Sequence, residues 1–150
     1  MIAKKSAFIL KNFFLLKQNI EFIQPQDNIN INIPVIFDLY NIDIDFVAQN
    51  NIPDLVQLFV KIEINSMESK QFGYSILAEG VCAFEFDKSQ KLSDNDKSNF
   101  IYFSGISICI NSLRSVISTV TCHGPFGKYT LPSIDINELL ISKGILKNKT

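Results

Sequence analysis

From Val56 to Asn65 apolar and polar residues alternate, with Val56, Leu58, Val60, Ile62 and Ile64 set against Gln57, Lys61, Glu63 and Asn65. A period of two places the two sets on opposite faces of a strand, so this segment needs a core on one side and water on the other. The segment from Phe72 to Asp87 repeats the pattern with Tyr74, Ile76, Ala78, Cys82, Phe84 and Phe86, and the polar run Ser66 to Lys70 between them predicts a hairpin. Further back, the even positions Phe8, Leu10, Phe14, Leu16, Ile20 and Phe22 predict a long first strand. Ile9, Phe13 and Leu15 make its odd face apolar too, which implies a second layer or a second subunit. After a loop from Pro25 to Pro34, Val35 to about Gln49 is predicted as the second strand. Its halves differ in phase (Val35, Phe37 and Leu39, then Ile42, Ile44 and Phe46). A bulge near Tyr40 and Asn41 is therefore expected, with Phe37 and Leu39 turned away from the main core. Four antiparallel strands in meander order follow.

The last third changes period. Leu113, Val116, Ile117 and Val120 fall at helical spacing, with Asn111 or Ser112 as the expected cap and Gly124 and Pro125 as the stop. Asp135 and Glu138 have capping-box spacing, Leu139 and Leu140 supply an apolar face and Gly144 can end the run, predicting a second helix from about Ile136 to Lys143. The polar stretch from Asp87 to Asn99 reads as a mobile surface loop. Sheet first and helices last is an α+β layout, and 150 residues suit one domain spanning 1–150.

Charge and cysteine content exclude several functions. A net charge of -1 gives no field for a phosphate backbone, so nucleic acid is not an expected partner. Lys4 and Lys5 precede an apolar stretch, as in a signal peptide, but Lys11, Asn12, Lys17 and Gln18 interrupt it at strand-like intervals. No run approaches the roughly 20 apolar residues of a membrane span, so the expectation is a soluble, cytoplasmic protein without direct membrane insertion. Cys82, Cys109 and Cys122 lack metal-ligand spacing.

His123 beside Cys122 invites a nucleophile or metal reading. Adjacent residues at a helix end diverge, however, and a zinc site needs about four ligands. Asp38, Asp43 and Asp45 lack calcium-loop spacing and read as a solvated strand edge. No base–nucleophile pair can be assembled, so neither enzyme chemistry nor a cofactor is expected. The aromatic surplus is more informative. Phe100, Tyr102, Phe103, Phe126 and Tyr129, with Phe37 and Leu39, exceed what one small core needs and point to a partly open apolar groove.

SLRSVISTV (112–120), HGPFGKYTLPSIDINELL (123–140), NIEFIQP (19–25) and EGVCAFEF (79–86) together resemble the SecB family of protein-export chaperones, in the right order over nearly the whole chain. The resemblance implies a SecB-like four-stranded antiparallel sheet followed by two helices, assembled as a homotetramer (a dimer of dimers). The implied function is an ATP-independent holdase binding unfolded preproteins, or the antitoxin of a toxin–antitoxin pair. It also implies a client groove formed by Val35, Phe37 and Leu39 with the helix-connecting residues Phe126, Tyr129, Leu131 and Pro132, supported by Leu139 and Leu140. Where export-dedicated members carry acidic contacts to the SecA motor, this chain has Asn19, Ile23 and Leu77. The resemblance thus implies the chaperone fold more strongly than it implies SecA. The alternative is an adaptor or assembly subunit that binds one defined protein through the same groove or a sheet edge.

Overall fold

Strands β3 (Leu55–Ile64) and β4 (Gly73–Phe86) pair antiparallel at the centre of the sheet, as their alternation predicts. Leu58, Ile62, Ile64, Tyr74, Ala78, Cys82 and Phe84 are fully buried on the inner face. The computed structural model describes residues 2–25 and 32–147. Its sheet order is β1-β4-β3-β2, with β1 at Phe8–Ile23 and β2 at Ile42–Ile52. β2, β3 and β4 make the expected meander. The first strand instead lies beside β4, so that β1 and β2 form the two edges of the sheet and do not pair with each other.

Two register shifts in β1, between Leu10 and Asn12 and between Leu15 and Lys17, correct the expected sharing of one face by all the even positions. Each bulge adds one residue and reverses the phase. Phe8, Phe13 and Ile20 therefore share the inner face, while Phe14 pairs with Val81 on the outer face.

The expected second strand also starts later. Ile33–Phe37 is a short helix, α1, with Pro34 in its first turn, where a missing N–H costs nothing. The buried residues here are Ile36 and Tyr40, four apart, so the odd-position pattern of Val35, Phe37 and Leu39 was coincidental to a helical turn. Val35 and Leu39 are exposed, whereas Phe37 packs against the core. No bulge is needed near Tyr40, because β2 begins at Ile42 with its even residues already inward.

The segment expected to be loop up to Asn99 contributes the first turns of the long helix. α2 (Asp94–Asn99), a π-helical segment (Phe100–Gly105) and α3 (Ile106–Thr121) run on as 28 continuous helical residues. A capping box starts it: Ser93 Oγ accepts from the Asp96 N–H at 3.1 Å, and Asp96 Oδ2 accepts from the Ser93 N–H at 3.2 Å. α2 buries no residue, and for that reason its composition reads as loop. Asn111 and Ser112 lie inside the helix and cap nothing; Ser112 Oγ donates to Ile108 O at 3.0 Å. Gly105 lets helix and sheet approach, since a Cβ there would lie 3.2 Å from both Leu58 and Phe8 side-chain carbons.

This helix is long and apolar enough to cross a membrane by length and composition. Its inward face, however, carries Ile106, Cys109, Ile110, Leu113 and Ile117 at the centre of the core. α4 (Ile136–Ser142) forms where predicted, with Asp135 Oδ1 accepting from the Asn137 and Glu138 N–H groups and Gly144 at φ 70° just past its end.

Candidate functional site

Polar side chains of β4 and α3 hold the connection between α3 and α4. Tyr74 on β4 accepts from the Phe126 N–H at 3.1 Å and donates to Gly127 O at 2.8 Å. Thr121, buried at the end of α3, accepts from the Tyr129 N–H at 2.9 Å. Arg114 donates through Nε to Leu131 O and through Nη2 to Pro132 O, both at 2.9 Å. A segment with no regular structure thus acquires a fixed path, because its backbone groups are satisfied from the helix and the sheet.

Opposite this loop stands α1. Tyr40, just beyond it, donates to Phe72 O at 2.9 Å and accepts from the Tyr74 N–H at 2.7 Å, which ties α1 to the start of β4. Phe37 meets Tyr129 edge-on at 5.3 Å between centroids and Tyr40 at 5.5 Å, and Tyr40 lies 5.6 Å from Tyr129. Tyr74 and Phe126 make a second edge contact at 5.5 Å. Aromatic rings arranged edge to face give broad apolar walls at small entropic cost.

Between these walls lies a cavity of about 570 Å³ containing Phe37, Phe126, Tyr129 and Pro132 among its lining residues. A second cavity of about 490 Å³ runs on along β2 and under α4, sharing Ile42 with the first and lined by Ile134 and Leu139. Lys143 reaches from the end of α4 to the Asp45 carboxylate, which holds that carboxyl below its usual range. Asp38 and Lys128 place one charge of each sign at the first cavity. The arrangement can hold an extended apolar segment along one edge of the molecule.

The nine residues expected to form the groove divide accordingly. Phe37, Phe126, Tyr129 and Pro132 come together in the first cavity and Leu139 lines the second. Leu131 and Leu140 are buried supports, 1% and 0% exposed. Val35 and Leu39 point to solvent at 53% and 62% exposure and line neither cavity, because the segment is helix where strand was expected. Phe100, Tyr102 and Phe103 lie at the other end of the long helix, where Phe100 packs near Phe8.

Ile33, Tyr40 and Ile42 were missed. Only the fold of α1 against the loop brings them in, although Tyr40 had a visible signal as a large aromatic next to the phase change.

The Tyr129 hydroxyl is buried without a hydrogen-bond partner among the described residues. Burial first, then Tyr40 and Asp38, push its pKa up to about 12. Cys82 and Cys109 are buried, and Cys109 is raised by its neighbour Cys82 and by burial, away from nucleophilic character. His123 and Cys122 are exposed at the helix end. Among the described residues no three His, Cys, Asp or Glu side chains stand together as a metal site.

No protein-family model matches the sequence, and no curated protein matches it either. Among solved structures, the Mycobacterium tuberculosis SecB-like chaperone Rv1957, in complex with a ChAD peptide from the Rv1956 HigA1 antitoxin, superposes with a TM-score of 0.62. The match covers 85% of this chain and 91% of that one at 9% identity. A Streptococcus agalactiae protein of unknown function matches with a TM-score of 0.44 and 10% identity over 84% of this chain and 97% of that one. The chain has the SecB-like α+β fold; at 9% identity the likeness speaks for the fold and not for individual residues.

Proposed function

We propose that this protein is a chaperone of the SecB-like kind, an ATP-independent holdase that receives unfolded or partly folded chains in the groove between α1, the α3–α4 connection and α4. The observation that carries the reading is the pair of adjoining cavities walled by Phe37, Tyr40, Phe126, Tyr129 and Leu139 on a SecB-like fold. A groove of this kind binds many sequences weakly through adaptable apolar contact, and preferential binding of the unfolded state delays a client's folding. No group in it is set up to do chemistry, so the protein is read as a binder and not as an enzyme.

The structural neighbour's antitoxin peptide makes an antitoxin the favoured client class over exported preproteins. It also supports the second reading, an adaptor that holds one defined partner. Capture on the purified protein followed by mass spectrometry separates the two: many unrelated clients favour the holdase, and one stoichiometric partner favours the adaptor. Failure to form a complex with any chemically unfolded client on a sizing column would remove the holdase reading.

Assembly as a dimer-based homotetramer in the cytoplasm belongs to the same proposal. β1 is an edge strand with Leu10, Phe14, Leu15, Leu16 and Phe22 all more than 40% exposed, an edge that natural proteins cover. Pairing with a second copy would cover it. Light scattering that returned a monomer at micromolar concentration would contradict this assembly.

A further inference from the structure

The outer face of the sheet, opposite the helices, carries one apolar row across all four strands. The register aligns Phe14, Val81, Phe59 and Val47 side by side. Phe14 and Val47 are 54% and 55% exposed, and the bulge residue Leu16 adds 55%. The next row reads Lys17, Glu79, Lys61, Asp45, an alternation of positive and negative charge over a shallow depression of about 240 Å³. Among the described residues Lys17 and Glu79 have no ion-pair partner, while Lys61 and Asp45 hold Glu63 and Lys143.

An alternating row of four has a particular symmetry. Rotated by half a turn about an axis parallel to the strands and laid against itself, it sets Lys17 opposite Asp45 and Glu79 opposite Lys61, while the apolar row meets its own reverse. The geometry points to a second copy of this chain as the occupant of the outer face, packed sheet to sheet about that two-fold axis. A self-complementary patch is what such an isologous contact requires.

The apolar row supplies the burial, and the charges set orientation more than affinity. Four strands about 4.8 Å apart and about 30 Å long present roughly 600 Å² per copy, so the contact buries about 1,200 Å², the lower bound for a specific interface. This surface shares Phe14 and Leu16 with the exposed β1 strand and meets the groove side only through the Asp45–Lys143 contact, and the inference does not depend on the holdase reading.

Lys17 and Asp45 lie on opposite edges of the sheet, about 14 Å apart and beyond effective screening distance, so within one copy they are nearly independent. Sedimentation velocity across micromolar concentrations is therefore run on Lys17→Glu, Asp45→Lys and the double variant. Each single variant is expected to weaken the face-to-face association by about tenfold, and the double variant to return within about threefold of the original. Single variants that associate like the original, or a double variant no better than the singles, would overturn the proposal. Loss of unfolded-client binding in Lys17→Glu with association unchanged would likewise overturn it, by assigning the face to clients.

Discussion

Two tyrosines near the groove illustrate how differently one hydroxyl can act. Tyr74 holds the connecting loop through Phe126 and Gly127, so Tyr74→Phe leaves buried backbone groups unpaired and is expected to cost about 1–3 kcal/mol in denaturant unfolding. The Tyr129 hydroxyl satisfies nothing among the described residues, so Tyr129→Phe is expected to be neutral or stabilising by up to about 1 kcal/mol.

The titration of Tyr129 has its own consequence. A folded pKa near 12 against an ordinary 10.0 means that the unfolded chain releases its proton first; the contribution is complete below about pH 10 and is lost as pH rises towards 12. Stability should fall over that window, less steeply in Tyr129→Phe, as followed by tyrosinate absorbance alongside circular dichroism. At this scale the aromatic surplus made Phe37, Phe126 and Tyr129 visible in the sequence. Tyr40 showed only as a large aromatic next to the phase change, because its part depends on bonds to Phe72 and Tyr74 more than thirty residues away.

Among the elements, β3, β4 and α4 could be read directly, since alternation or a cap followed by an apolar face leaves little choice of structure. α1 could not: a short helix buries few side chains, and three apolar residues at odd positions imitate a strand. The start of the long helix was hidden for a related reason, since α2 buries nothing and only the Ser93–Asp96 box marks it.

The β3–β4 hairpin rests on Asn65, at φ 54° and 2% exposed, whose amide donates to Gln71 O and Tyr74 O and whose Oδ1 accepts from the Gln71 N–H. Asn65→Ala removes all three bonds and is expected to cost about 3 kcal/mol by thermal or denaturant unfolding. α4 depends partly on charge. The Lys143 contact lowers the Asp45 pKa, so its contribution is present above the ordinary carboxylate range and lost as pH falls through it. Amide protection in α4 should therefore drop below about pH 4, while that of β3 and β4 persists.

For the whole molecule, the collinear motifs suggested a SecB-like sheet with helices, and the structure has it. What the motifs could not convey was the place of β1 beside β4 or its two bulges, because both depend on pairing between segments far apart in sequence. The first of those bulges sends Phe14 outward, where it joins Val81, Phe59 and Val47 on a second apolar surface. The groove, meanwhile, lies on the side where α1, the connecting loop and α4 converge.

The central claim, that this groove holds unfolded chains, is tested most directly by the refolding rate of a slow-folding client with equimolar protein, compared with Phe126→Asp. Phe126 lines the first cavity and is only half-buried, so the charge enters the groove without entering the core. The original protein is expected to retard refolding several-fold and the variant, still folded by circular dichroism, to lose most of that effect. Refolding at the unassisted rate with the original protein, or equal retardation by the variant, would contradict it.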